Sequence, residues 1–261
     1  MVSNRFYGPI CQVRDWFDGE RRVFGASNAA TVSVSPALAS PACWFQLSLP
    51  PPRVIAPEAA FTALRSRGGT ATLSSATAIA AYSWPYGPAS NADQHLATIG
   101  GSRLEIIRPS GSSPTLPSAQ QVCDAMRAVP AVQRLHTSRV ILCPTSHPSS
   151  TARTTVGGEA GSGVVVLFPL RSAITQNDVD NRIMHEIGHN YQGVLWRSAA
   201  DVSGWGAAAA LDAQAPSTYA RSNFGDDFCE FLIVFNTVRG TPCESAGRTM
   251  FRYRWEKMLT Y

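Results

Sequence analysis

His185-Glu186-Ile187-Gly188-His189 is the stretch of this chain with the clearest chemistry. Histidines four apart project from one face of an α-helix, so both imidazoles can address one cation, and the glutamate one step round the helix can move a proton. The spacing works only on a helix. With 5 His and 8 Glu among 261 residues, chance order would produce the pattern with a probability of about 0.002, so it outweighs a lone short motif.

A catalytic zinc ordinarily takes three protein ligands and keeps a fourth position open, so another ligand must come from elsewhere in the chain. Residues 217 to 231 read Ser-Thr-Tyr-Ala-Arg-Ser-Asn-Phe-Gly-Asp-Asp-Phe-Cys-Glu-Phe. Asn223 can cap a helix whose first turn carries Asp226 and Asp227. Acids in a first turn are also what an ordinary helix has, and Glu230, Asp227, Asp201 and Asp212 stand as alternative ligands.

The elements that must position these groups can be read from the flanking residues. Thr175 and Asp178 form a capping-box-like start, Val179, Ile183, Ile187 and Tyr191 recur every four residues as a buried stripe, and Gly193 offers a stop. This predicts an amphipathic helix through the motif. Upstream, Ser118 to Val129 reads as a helix, and Arg139–Cys143 and Gly163–Phe168 read as strands. A short helix is expected from Pro57 to Gly68-Gly69, and Leu104–Arg108 reads as a strand. Pro50-Pro51-Pro52 separates the opening region from that helix, and Pro109–Pro117 reads as a linker. The expected organisation is therefore α+β, with a β-rich region over 1–110 and a catalytic region over 111–261.

Composition narrows the function classes. The single lysine, Lys257, leaves 21 scattered arginines and a net charge of +4, with no basic stripe for phosphates, so nucleic acid is not an expected partner. No apolar run approaches the ~18 residues of a membrane span. The first ten residues lack a basic start followed by an apolar stretch, so no signal peptide is visible. The cysteines at 11, 43, 123, 143, 229 and 243 contain no CxxC pair and leave disulfide pairing open. Cys229, between Phe228 and Phe231, reads as a small buried residue. His95, His136 and His147 have no ligand spacing and read as structural.

Over roughly its last hundred residues the chain resembles the zincin metallopeptidases, most closely the catalytic domain of anthrax lethal factor and its relatives. The resemblance rests on His185-Glu186-x-x-His189 together with Tyr219-Ala-Arg221-Ser222-Asn223-Phe-Gly-Asp226-Asp227-Phe228-Cys229-Glu230. It implies a zincin-like domain with a second ligand-bearing helix, Zn2+ held by His185, His189 and Asp226, Glu186 as general base, Tyr219 steadying the transition state, and the strand Gly163–Phe168 as a docking edge for an extended peptide, the alternative being an inner strand. Aspartate stands at 226 where the group carries glutamate, so the second helix must sit closer to the metal. Glu230, one turn on, is placed to accept the outer N–H of a zinc-bound histidine or to bind in place of Asp226. The implied activity is hydrolysis of peptide bonds in a protein or peptide substrate by a secreted or delivered effector. A cell-wall peptide hydrolase and a catalytically silent zinc-fold binding module are the alternatives.

Overall fold

The computed structural model describes residues 11–13, 43–47, 49–151, 155–212 and 214–261. In chain order the elements are β1 (Cys11–Val13), α1 (Glu58–Arg67), β2 (Ala71–Leu73), β3 (Thr77–Tyr82), β4 (Ser90–Ile99), β5 (Ser102–Pro109), α2 (Ala119–Ala128) and α3 (Ala131–Arg134). There follow β6 (Arg139–Leu142), β7 (Gly158–Gly161), β8 (Val164–Leu167), α4 (Gln176–Leu195), α5 (Ala199–Leu211), α6 (Phe224–Val238), α7 (Glu244–Met250) and α8 (Arg252–Met258). The α+β class is as expected.

The strands form one sheet in the order β1-β7-β8-β6-β5-β4-β2, with β3 also paired to β4. β5, β6 and β8 are parallel neighbours and the other pairings are antiparallel. The strands on either side of residue 110 thus belong to one sheet, joined by the β5–β6 ladder. Val140-Ile141-Leu142 and Val165-Val166-Leu167 are buried throughout, as inner strands covered on both faces must be. Alternate residues divide between two cores. Ile106, Val140, Leu142, Val165 and Leu167 face the helices, while Ile107, Ile141, Val166 and Phe168 pack with Trp84 on the other side.

β8 lies between β6 and β7, so the stretch 163–168 is an inner strand and no docking edge. Gly193 does not stop the motif helix, which continues to Leu195. One glycine costs a helix only about 1 kcal/mol, and Leu195 and Trp196 draw the last turn onto the core, Trp196 meeting the rings of Trp205 and Phe228. A Cys43–Cys243 disulfide ties the chain ahead of α1 to the start of α7. Cys123, Cys143 and Cys229 are buried thiols, and the side chain of Cys11 lies outside the described residues. No helix among the described residues is long and apolar enough to cross a membrane.

Candidate metal centre

α4 carries the motif and is held at both ends of its active stretch. At its start Thr175 Oγ1 accepts from the Asp178 amide at 3.2 Å while Asp178 Oδ2 accepts from the Thr175 amide at 2.8 Å, closing the expected capping box. Val179, Ile183 and Ile187 are fully buried, as the four-residue stripe requires. Asn181, on the same helix, clasps the backbone of Ala56, accepting from its N–H at 2.8 Å and donating to its carbonyl at 3.2 Å.

α6 lies across α4 and begins where Asn223 Oδ1 accepts from the Asp226 amide at 2.8 Å. The crossing is close because residue 188 is glycine: a Cβ there would stand 2.8 Å from Cys229 Sγ and 3.2 Å from its Cα. This approach brings a first-turn aspartate within reach of the motif histidines.

The donor atoms converge. Asp226 Oδ1 is 3.6 Å from His185 Nε2 and 3.5 Å from His189 Nε2, and all three side chains are almost wholly buried. Ligand atoms bound at 2.0–2.1 Å in tetrahedral directions stand about 3.3 Å apart, so these separations suit a bridging cation better than hydrogen bonds. The outer nitrogens face other partners: Glu230 Oε1 is 3.1 Å from His185 Nδ1, and Gln192 Oε1 is 3.3 Å from His189 Nδ1. Such contacts fix ring orientation and leave both Nε2 atoms directed at Asp226.

Burial alone would raise the Asp226 carboxyl pKa, but its interactions with His185 and His189 prevail and hold it well below the carboxylate range. Oδ2 of the same carboxylate accepts from Ser222 Oγ at 3.0 Å and from Asn223 Nδ2. Oδ1 is buried and makes no hydrogen bond among the described residues. An ionised, buried oxygen without a hydrogen bond, aimed between two imidazole nitrogens, fits a metal.

Cys229 belongs to the same neighbourhood. His185, His189 and Cys229 are buried, with potential ligand atoms within 4.8 Å of one another, so they too form a group able to hold a metal ion. Asp226 Oδ1 lies 3.6 and 3.5 Å from the two Nε2 atoms, whereas the Cys229 sulfur also lies against Gly188 in the helix contact.

Glu186 is fully buried, and neither carboxylate oxygen makes a hydrogen bond among the described residues. A Cβ on Gly158 of β7 would come within 2.5 Å of Glu186 Oε1, so only a glycine leaves room for this carboxylate. Desolvation raises its pKa, opposed by the charges of His185, His189, Arg182 and Arg53. Arg182, one turn before Glu186, donates to the carbonyls of Gly157 and Phe168. It thereby holds the strand ends of β7 and β8 against α4.

Tyr219 lies in a short 3-10 turn before α6, its ring centroid 6.1 Å from that of His185. Burial raises the pKa of its hydroxyl, which stays a proton donor. The other candidate acids are engaged elsewhere. Asp227 binds Trp205 Nε1 at 2.8 Å and Arg254, Asp212 binds Arg254 at 2.9 Å, and Asp201 caps α5 through Ser198. Of the remaining histidines, His136 stacks on Tyr191, His147 Nε2 lies 3.5 Å from Glu159 Oε2, and His95 Nδ1 lies 3.1 Å from the Ser74 carbonyl.

Sequence reasoning missed three contributors: Gln192, Gly158 and Arg53, whose guanidinium donates to Glu230 Oε1 at 3.1 Å. Gln192 is three residues past His189 on the same helix and could have been found from that spacing. Comparison of the chain with protein-family models, curated protein sequences and solved structures yields no match, so the chemistry of this centre is inferred from its own residues.

Proposed function

We propose that this protein is a zinc-dependent endopeptidase of the zincin type, with His185, His189 and Asp226 as metal ligands. The observation that carries the reading is the convergence of two imidazole Nε2 atoms and one ionised carboxylate oxygen beside the buried carboxylate of Glu186. A protein that merely stored or displayed a metal would have no need of that fourth group.

Zinc held by these donors would supply a Lewis acid that polarises a carbonyl and lowers the pKa of a water to ~7. Glu186 supports the proton transfers: its carboxylate accepts a proton from the attacking water and returns it to the leaving amine. Its buried setting suits that double duty, because desolvation brings a carboxyl pKa up toward that of the groups it exchanges protons with. The Tyr219 hydroxyl donates to the substrate oxygen as negative charge grows there. Glu230 and Gln192 keep the imidazoles in register throughout.

The test is paired: metal content of the purified protein supplied with zinc, and cleavage of a peptide library with and without added zinc. About one equivalent of zinc per chain and zinc-dependent cleavage are expected. Less than about a tenth of an equivalent refutes the site. Full loading without cleavage leaves a zinc-binding module.

A further inference from the structure

Arg53 comes from the proline segment ahead of α1, far in sequence from every residue of the metal centre, yet its side chain is buried inside that centre. The backbone around it is fixed at successive points. The Thr218 amide donates to the Pro51 carbonyl at 2.8 Å and the Tyr219 amide to the Pro52 carbonyl at 3.2 Å. The Val54 amide donates to Glu230 Oε2 at 2.6 Å, and Ala56 is clasped by Asn181 of α4. Consecutive prolines fix φ, so the segment reaches these partners with little conformational freedom to lose.

Two contacts of the guanidinium with described residues bear on the site. One edge donates to Glu230 Oε1 at 3.1 Å, the oxygen that also faces His185 Nδ1. Its central carbon lies over the Tyr219 ring, 3.0 Å from the centroid. We propose that Arg53 is a positioning residue that clamps together the two groups steering the reaction: Glu230, which orients His185, and Tyr219, whose hydroxyl donates to the oxygen on which charge grows. This rests on the peptidase reading of the site.

Geometry favours a clamp over a simple ion pair. Glu230 has both oxygens occupied, Oε1 by Arg53 and His185 and Oε2 by the Val54 amide, so its plane has one orientation and the imidazole follows it. Tyr219 has its backbone tied to Pro52 and its ring covered by the guanidinium, which limits the arc its hydroxyl can sweep. A planar guanidinium can hydrogen-bond at its edge while stacking on its face; an ammonium group supplies charge and donors but no plane. Arginine is therefore the residue that does both.

The two arms can be read separately. In Arg53→Ala, zinc affinity measured by competition with a chelating dye should fall by about 10–100-fold, the scale for an outer partner of a metal ligand. At saturating zinc, kcat on a fluorogenic peptide should fall at least tenfold with KM little changed. Arg53→Lys should recover most of the zinc affinity, because the bond to Glu230 can re-form, but not kcat, because the stack is gone. In a Tyr219→Phe background, Arg53→Lys should then have little further effect on kcat, since the group it orients is already absent. Cobalt-substituted Arg53→Ala should show shifted ligand-field bands.

Zinc affinity and kcat in Arg53→Ala equal to those of the parent protein overturn the inference, as does a full, independent kcat loss for Arg53→Lys on top of Tyr219→Phe. If Arg53→Ala does not fold, Arg53→Lys decides alone, and unchanged kcat refutes the clamp. A parent protein that binds no zinc refutes the peptidase reading and this inference together. One that binds zinc without cleaving peptides refutes the peptidase reading, while the affinity and cobalt measurements still judge the Glu230 arm.

Discussion

Glu230 Oε1 stands 3.1 Å from His185 Nδ1, while Asp226 Oδ1 stands 3.6 Å from Nε2 of the same ring. One turn of α6 thus meets both edges of one imidazole. The two acids are four residues apart on one helix face, but only the N-terminal one lies between the two histidines. On the proposed reading their labour divides accordingly: Asp226 would complete the ligand set and Glu230 would orient a ligand.

Replacing each acid separates these roles. Asp226→Ala should strip zinc almost as thoroughly as His185→Ala, and excess zinc should not restore activity, because an absent ligand anion also alters the charge that tunes the activated water. Glu230→Gln keeps shape and an acceptor oxygen and should weaken zinc affinity by about 10–100-fold, with activity returning as zinc is added. Glu230→Ala is the harsher change, since it leaves the Arg53 guanidinium buried without this carboxylate. Zinc titration of the variants checks this, and a metal-free Glu230→Gln beside a fully loaded Asp226→Ala would reverse the assignment.

Glu186→Gln isolates proton transfer from metal binding. The amide fits the space that Gly158 leaves and carries no charge into a fully buried position, so neither fold nor zinc content should suffer. Turnover should fall by about 10²–10⁴-fold, the usual contribution of general acid–base catalysis. A glutamine variant with undiminished hydrolysis removes Glu186 from the mechanism.

Cys229 provides a third discrimination. If Asp226 is the ligand, Cys229→Ser should retain about one zinc per chain, and the cobalt-substituted parent should lack thiolate-to-metal charge-transfer absorption. The substitution sits in the α4–α6 contact against Gly188, so its expected effect is on melting temperature. Loss of zinc in this variant, with that absorption present in the parent, would make the sulfur a ligand.

Much of this centre is legible in the sequence because its determinants are local. The capping residues Thr175 and Asp178, the stripe from Val179 to Tyr191 and the Asn223 cap each act within a few residues, so both helices of the centre can be written down from spacing alone. Arg53 could not be found that way. It meets Glu230 across 177 positions of chain, and the prolines that look like a separator between regions serve as a brace against Thr218 and Tyr219. Gly158 is equally silent, since only the folded contact shows that a side chain there would displace Glu186. α5 is masked by its glycines. Gly206 is required because a Cβ there would meet the Phe224 ring at 2.6 Å, which is packing information no helix propensity contains.

The last prediction concerns the far side of β7. Glu159 follows Gly158, but strand alternation turns its side chain to the opposite face of the sheet, where Tyr86 Oη donates to Oε2 at 3.1 Å and His147 Nε2 lies 3.5 Å away. Desolvation pushes its pKa up from 4.5 to about 7; the Tyr86 hydrogen bond opposes the rise and the charge of Glu186 adds to it. A raised carboxyl pKa means that the folded protein holds a proton which the unfolded chain releases near 4.5. The stability this confers is fully present below that value and is lost as pH rises through about 7. The interval corresponds to about 3 kcal/mol at most, or several degrees of melting temperature in a chain of this size. Glu159→Gln keeps the hydrogen-bonding shape without the titration. Its melting temperature should therefore gain on the parent's as pH is raised from 5 to 8, most of the change falling between about 5 and 7, where the folded parent still holds the proton that its unfolded chain has released. Comparing the two proteins at each pH cancels the titration of groups that do not interact with Glu159. A difference in melting temperature that stays constant across that range would show that Glu159 is ionised throughout.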